Sequence, residues 1–379
     1  MIKQEKKIKI LFLVTNLRDS DGVTHFVMSY FRAIDHNAMH IDFAVYKTVE
    51  KSFFNEITKT GSKIFILPPI MSFRKHVVKC KEIIEKGNYD IVHDNIIAKS
   101  NPLMHFANRM NVSVRLLHIH STCFSNSFYK NILSKVAYMV LQKSITHYVA
   151  CSSEAGKSIL KDKKYIVIQN IISSDYFTYS QANRLNIRKK LGVNNKIVIA
   201  SIGRICKSKK PFFSLKIIKS ILKNKKNIEY WLIGNGPLAD KLKKRVHSQK
   251  LDQYVRFWGS RNDMFDLYHA IDILLMPSAF EGLGIVALES QAMGIPTFVS
   301  DRVPREVQYT DLVEFIPLRY NPKHWADLII DSFSKIPMRR NHSKDLLLSH
   351  FSDKNAGTNL YQTYLSMLYS SNPEQEVTG

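Results

Sequence analysis

The sequence predicts an α/β protein built from two doubly wound parallel sheets. Three observations carry this. Short apolar runs that read as buried strands alternate with amphipathic stretches along the first half. The same alternation restarts near Lys196 after a polar interval. Between Ser278 and Pro296, a glycine-bearing loop joins one strand-like run to a helix-like stretch and then to another strand.

In the first half, strands are expected at Lys9 to Thr15, His40 to Val45, Lys63 to Leu67, Ile91 to His93, Val114 to His118 and His147 to Ala150. Amphipathic stretches such as Val23 to Ile34 and His76 to Glu85 lie between them. The second series comprises Ile197 to Ile202, Glu229 to Ile233, Val255 to Trp258, Ile271 to Met276 and Thr297 to Ser300. The stretch from about Asn170 to Asn194 is polar and lacks a sustained period, so a linker is expected there. The resulting division is 1–170, a first Rossmann-like domain; 171–194, a linker; 195–350, a second Rossmann-like domain; and 351–379, a terminal helix with a polar tail. The amphipathic stretch Ala356 to Tyr369 could dock on either domain.

The chain has 379 residues, enough for two full cores, and 45% hydrophobic residues, which argues against disorder. No apolar run approaches the roughly 18 residues of a spanning helix. The first run, Ile8 to Val14, is too short for a secretory leader and reads as a strand. The four cysteines (Cys80, Cys123, Cys151, Cys206) form no CxxC pair and fit reduced thiols in a cytoplasmic protein. A formal net charge of +23 attracts polyanions, whether nucleic acid, anionic lipid or diphosphate. No helix-turn-helix, RNP-like or C2H2 pattern supports nucleic acid, which remains the rival of a different class.

In Ser278–Pro296, the spacing of Ile285, Val286, Leu288, Ala292 and Met293 reads as a helix that Gly294 stops. Its N-terminus lies at the carboxyl end of a parallel strand, where backbone N–H groups favour an anion such as diphosphate. Glu281 and Glu289 flank it. Carboxylates repel phosphate, so hydroxyls are their expected partners, and a sugar and a ribose on a diphosphate meet both demands. Gly203-Arg204-Ile-Cys-Lys-Ser-Lys209 follows another strand and offers two cations suited to phosphate. Gly234-Asn-Gly236-Pro237 makes a tight turn after a third. His118-Ile-His120 places two imidazoles on one strand face, which a zinc pair or a ligand contact would equally explain.

Together these segments resemble the E-x7-E, G-R-x4-K and G-x-G-P signatures of retaining glycosyltransferases of family 4, which have the GT-B fold: two Rossmann-like domains facing a cleft. The resemblance covers nearly the full chain and is strongest at 203–209 and 278–300. The stretch from Met28 to His36 looks like a bacterial subgroup that assembles capsular, exopolysaccharide or O-antigen units. The resemblance implies transfer of a hexose or N-acetylhexosamine from a nucleotide diphosphate, with UDP expected, to a saccharide acceptor, with retention. Arg204 and Lys209 would hold the diphosphate, Glu281 the sugar hydroxyls and Glu289 the ribose. Gly22, Gly203, Gly282, Leu283, Gly284 and Ile285 would supply donor-binding backbone, and His120 a sugar contact with His118 as support. Gly234 and Gly236 are secondary candidates, as a plain turn explains them equally.

The chain departs from the pattern after its first strand. Asp21-Gly22 replaces a double glycine, and Thr24 stands where a glutamate is common. Asp19-Ser-Asp21 mimics a metal-binding DxD, but its place in a doubly wound domain argues against that role. No metal or other cofactor is expected. The rival enzymes of this fold are a sugar-phosphate synthase and an epimerase. The resemblance also implies a polyprenyl-diphosphate-linked acceptor and a protein visiting the inner membrane face. There Phe128, Tyr129, Ile132, Leu133, Val136 and Met139, interspersed with Lys130, Lys135 and Lys143, would form either an interfacial helix or a stripe packed on the sheet.

Overall fold

The computed structural model describes residues 7–18, 21–46, 49–97, 100–122, 124, 128–334 and 339–371, with the side chains of all of these except 52 and 128–131. The chain divides into two units, Met1–Ile171 with Asp353–Gly379, and Ile172–Ser352.

In the first unit the described strands are β1 (Ile8–Val14), β2 (Met39–Val45), β3 (Ile64–Ile66), β4 (Ile91–Asp94), β5 (Val114–Ile119), β6 (His147–Ala150) and β7 (Ile166–Val167). They form one sheet in the order β3-β2-β1-β4-β5-β6-β7, and each neighbouring pair is parallel. In the second unit, β8 (Ile197–Ile202), β9 (Ile228–Ile233), β10 (Val255–Gly259), β11 (Ile273–Met276), β12 (Thr297–Ser300) and β13 (Val313–Ile316) form a parallel sheet in the order β10-β9-β8-β11-β12-β13. In both sheets the strand order reverses beside the first strand, between β1 and β4 and between β8 and β11. Crossover helices leave in opposite directions there and open a crevice at the carboxyl ends of the strands. The two short strands β7 and β13 lie at sheet edges, and Ile166 and Val167 of β7 are exposed there.

Burial on both faces explains why the central strands read as apolar runs. Phe12, Ile41, Phe43, Ile91 and Leu116 lie in the first core, and Ile199, Tyr230, Leu232, Ile273 and Phe298 in the second. The terminal helix Ala356–Ser371 belongs to the first unit, and its Leu360, Tyr364 and Met367 complete that core.

The expected linker at 171–194 is corrected by a helix, Gln181–Leu191, that belongs to the second unit. Ser180 caps its start and Gly192 its end. It shows no apolar stripe because arginines do the anchoring. Arg188 Nη1 donates to Asp272 Oδ2 (2.9 Å) and to the Ala270 carbonyl (2.6 Å), and Nη2 donates to the Val193 carbonyl (2.7 Å). Arg184 donates to Asp272 Oδ1. Asp272 is only 2% exposed and also accepts from the Val198 amide (2.7 Å), so one carboxylate ties this helix to the start of β11 and to β8. Removing one partner of a buried ion pair leaves the others desolvated and unpaired, at a cost of about 3–5 kcal/mol. Asp272→Ala is therefore expected to destabilise the second unit by that amount. The three tryptophans, Trp231, Trp258 and Trp325, all lie in this unit, so denaturant unfolding followed by tryptophan fluorescence reads it directly. An unchanged midpoint would refute the anchoring role.

Candidate active site

In the second unit, β8 ends at Ile202 and the chain turns at Gly203, whose amide donates to the Ile233 carbonyl (2.8 Å). The Ile205 amide donates to the Asn235 carbonyl (3.0 Å), and Leu238 returns a bond to the Ile205 carbonyl (3.1 Å). The turn containing Gly234 and Gly236 thus lies directly on the 203–205 backbone. A Cβ on Gly234 would sit 2.2 Å from the Gly203 oxygen, and one on Gly236 would sit 2.4 Å from the Ile205 oxygen. Gly234 also has φ +129°, which side chains rarely adopt. These two glycines therefore hold the loop that carries Arg204 and Lys209.

The Ser278–Gly284 loop joins the same assembly. The Ala279 amide donates to the Ser208 carbonyl (2.7 Å), and Lys209 Nζ donates to Glu281 Oε1 (2.6 Å). Gly203, Arg204, Lys209, Met276 and Ser278 line one small concavity at the switch point between β8 and β11. Arg204 is exposed and has no ion-pair or hydrogen-bond partner among the described residues. Gly284, at φ +104°, is the N-cap of the helix Ile285–Ala292 and has no side chain to cap it. The first-turn amides there favour an anion. Leu283 is buried and anchors the loop, while Gly282 and Ile285 are partly exposed.

Glu289 lies on that helix, and its Oε2 accepts from the Tyr268 hydroxyl (2.5 Å). Tyr268 is fully buried. Burial, and then the Glu289 carboxylate, raise its pKa well above the ordinary value, so it remains a donor. Tyr268 fixes the carboxylate that the E-x7-E spacing picks out, and nothing in its own surroundings along the chain marks it.

In the first unit, Gly22 opens the helix Gly22–Ala33, and a Cβ there would meet nothing within 4 Å. The fold therefore does not itself require glycine at this position. Asp21 caps the helix, with Oδ1 accepting from the Val23 amide (2.9 Å), which occupies the carboxylate of the expected DxD mimic. The other members of that motif, Asp19 and Ser20, lie outside the described residues. Thr24 is buried. Its hydroxyl donates to the Asn16 carbonyl (3.1 Å) and accepts from the Arg18 amide (3.2 Å), closing the loop internally.

His120 follows β5, and its ring stacks on His118 with centroids 4.0 Å apart. His120 Nε2 contacts Asn95 Oδ1 (2.8 Å). His118 is fully buried, and its Nδ1 meets His93 Nε2 (3.0 Å). His93 Nδ1 in turn meets the Tyr364 hydroxyl (2.7 Å) of the terminal helix. His118 is thus an internal support and His120 the member with an exposed edge. Burial pushes His120 down to about 3. Burial and the neighbouring imidazoles hold His93 and His118 well below the ordinary range. All three rings are therefore neutral near pH 7.

Residues 183–345 match the family model described as glycosyl transferases group 1. The chain is 25% identical over 354 residues to the putative glycosyltransferase EpsF of Bacillus subtilis (strain 168), covering 89% of this chain and 91% of that one. It is 26% identical over 242 residues to the UDP-Gal:alpha-D-GlcNAc-diphosphoundecaprenol alpha-1,3-galactosyltransferase of Escherichia coli, covering 60% and 62% of the two chains. The crystal structure of Anabaena Alr3699/HepE in complex with UDP-glucose superposes with a TM-score of 0.76 at 16% identity, over 95% of this chain and 100% of that one. The two Rossmann-like units are thus those of the GT-B class. Within it, residues 183–345 match the group 1 glycosyl transferases, and the chain as a whole is similar to family-4-like glycosyltransferases.

The buried histidines have a pH consequence. Their pKa values are lower in the folded chain than in the unfolded one, so the unfolded chain binds protons first as pH falls. Stability is intact above the ordinary histidine value of about 6.5 and is lost below it, by up to about 1.4 kcal/mol per pH unit for each histidine. For His120 the loss continues down to about 3. Hydrogen exchange resolved by peptide should show β4 and β5 losing protection between about pH 6.5 and 5. His93→Gln should flatten that slope, and equal slopes in the two proteins would contradict the assignment.

Proposed function

We propose that the chain transfers a hexose or N-acetylhexosamine from a nucleotide diphosphate, UDP in the first instance, to a saccharide acceptor with the anomeric configuration retained. One observation carries the reading. Arg204, the Lys209–Glu281 pair and a helix N-terminus with glycine at its N-cap converge at the switch point of the second sheet. The HepE structure was solved with UDP-glucose, which agrees with this choice of donor.

A diphosphate offers Lys209 more negative charge than one carboxylate does. When it binds, Lys209 turns to phosphate and Glu281 is released to accept hydroxyl hydrogens of the sugar. Arg204, Lys209 and the helix amides then stabilise charge as it develops on the leaving diphosphate. Glu289, oriented by Tyr268, takes the ribose hydroxyls. These cations fill the role a divalent metal has in other transferases, so transfer is proposed to need none. Retention follows from same-face attack assisted by the leaving phosphate, with Glu281 as a positioning carboxylate rather than a nucleophile.

The Escherichia coli relative's name carries a diphosphoundecaprenol acceptor. We place the same chemical class here, a polyprenyl-diphosphate-linked saccharide, in assembly of a bacterial surface polysaccharide. The protein then works in the cytoplasm at the inner membrane face. Among the described residues no helix is long and apolar enough to cross a membrane. The helix Phe128–Leu141 instead leaves Leu133 (69%), Met139 (58%) and Val140 (57%) exposed, with Ile132 and Val136 also exposed, whereas Tyr138 and Leu141 turn inward. Of the residues expected on this stripe, the side chains of Phe128, Tyr129 and Lys130 lie outside the described residues. This apolar face and the +23 charge suit an anionic lipid surface, at about 1 kcal/mol per basic residue near it.

Three experiments test this reading. Glu289→Ala and Arg204→Ala should each weaken UDP-sugar binding at least about tenfold in calorimetry, since a hydrogen bond to a charged group contributes about 1.5–3 kcal/mol. Transfer by the unaltered protein should survive EDTA and give an α-linked product from an α-linked donor. Unchanged affinity in both folded variants would remove the site, and a free sugar phosphate or an epimerised donor as product would select a rival activity. Sedimentation with liposomes should show binding to anionic vesicles at low salt, lost at high salt and in a Leu133→Asp/Met139→Asp variant. Equal binding in all conditions would end the electrostatic docking proposal alone.

A further inference from the structure

We propose that Asn95 is a positioning residue that locks the proton of His120 on Nε2 and thereby presents Nδ1 as a hydrogen-bond acceptor for a substrate hydroxyl. The identity of that hydroxyl rests on the transferase reading. The tautomer is a property of the protein alone.

Asn95 follows β4 at the switch point of the first sheet. It is 7% exposed, and its amide nitrogen donates to the Leu13 carbonyl (3.1 Å) across the strand boundary. Its side-chain Nδ2 donates to the His93 carbonyl (3.3 Å), which leaves Oδ1 facing His120 Nε2 at 2.8 Å. Turning the amide over would set Oδ1 against the His93 carbonyl oxygen, two acceptors in contact, so the hydrogen-bond network selects the orientation. Oδ1 only accepts, and Nε2 must therefore carry the hydrogen. A neutral imidazole has one N–H, so Nδ1 keeps its lone pair. No described residue hydrogen-bonds Nδ1. The ring cannot swing freely, because it stacks on His118 (4.0 Å) on one side and meets Phe26 (4.8 Å).

A bare imidazole nitrogen attracts a hydroxyl hydrogen and repels a phosphate oxygen. His120 therefore suits a substrate hydroxyl and not a phosphate oxygen. The groups around it preserve this state. His118 and His93 are neutral, and Phe26 contributes no charge. The Asp94 carboxyl turns to Ser100 Oγ and the Ile96 amide (2.8 Å), and the Tyr364 hydroxyl lies beyond His93.

The test begins with the unaltered protein labelled with nitrogen-15 in histidine. Long-range nitrogen–proton correlation spectra report the tautomer, and the His120 signals are assigned by their loss in His120→Gln. The expected result is the neutral Nε2–H form across about pH 6 to 8. Asn95→Asp keeps an acceptor for Nε2–H but adds a negative charge beside it. His120 then takes a second proton, on Nδ1, at higher pH than before. In that variant His120 should titrate within the accessible range, and kcat/KM should fall by about tenfold per pH unit below the new value. Asn95→Leu, which removes the acceptor, should give mixed tautomers. An Nδ1–H form in the unaltered protein, or an unchanged His120 titration in Asn95→Asp, would overturn the proposal. The spectra need neither donor nor turnover, so this failure is separable from failure of the transferase assignment.

Discussion

The second unit depends on how closely one turn of backbone approaches another. The Gly234–Gly236 turn lies on Gly203–Ile205 with no room for a single carbon between them. That contact aligns the ends of β8 and β9 and gives the loop after β8 one path. Arg204 and Lys209 leave this path in fixed places, and the Ser208–Ala279 bond brings in the loop after β11. Only then does Glu281 come within 2.6 Å of Lys209, although the two are 72 residues apart in the chain. The glycines contribute no charge and no donor to a ligand. They act by being absent from space that the charged loop must occupy.

The two units solve different electrostatic problems. The second gathers cations and carboxylates at partly exposed positions, where charge persists. The first gathers three imidazoles around Phe12 and Phe26, two of them fully buried, where charge is expelled. Low polarity makes a neutral, directional hydrogen bond worth more and a misplaced one costlier. A neutral histidine with a fixed tautomer suits recognition of hydroxyls, and a cationic loop suits phosphate. The terminal helix takes part in the first arrangement, because Tyr364 closes the histidine chain from the far end of the sequence.

Much of this was legible along the chain. The inner strands are buried on both faces, so β11 and most of β1, β8 and β9 read as apolar runs, and their limits follow within a residue or two. The spacing of Glu281 and Glu289 and the glycines around them are likewise local, because a loop entering a helix is specified by consecutive residues. The helix Gln181–Leu191 was not legible. Its buried residues are only Ile187 and Arg188, and Arg184 and Arg188 tie it to Asp272, more than 80 residues away in sequence.

The sequence by itself determined the alternation of elements, the loops that carry charge and the two carboxylates at helical spacing, since each is set by short-range periodicity. Tertiary structure decided which side chains those groups meet. Tyr268 beneath Glu289, Asn95 against His120 and Tyr364 against His93 are brought together by strand order and helix docking, which no local pattern encodes. It also decided which way the helix Phe128–Leu141 faces. An apolar stripe is the same in sequence whether it packs on a sheet or faces solvent, and only the path of the surrounding chain turns Tyr138 and Leu141 inward and Leu133 and Met139 out.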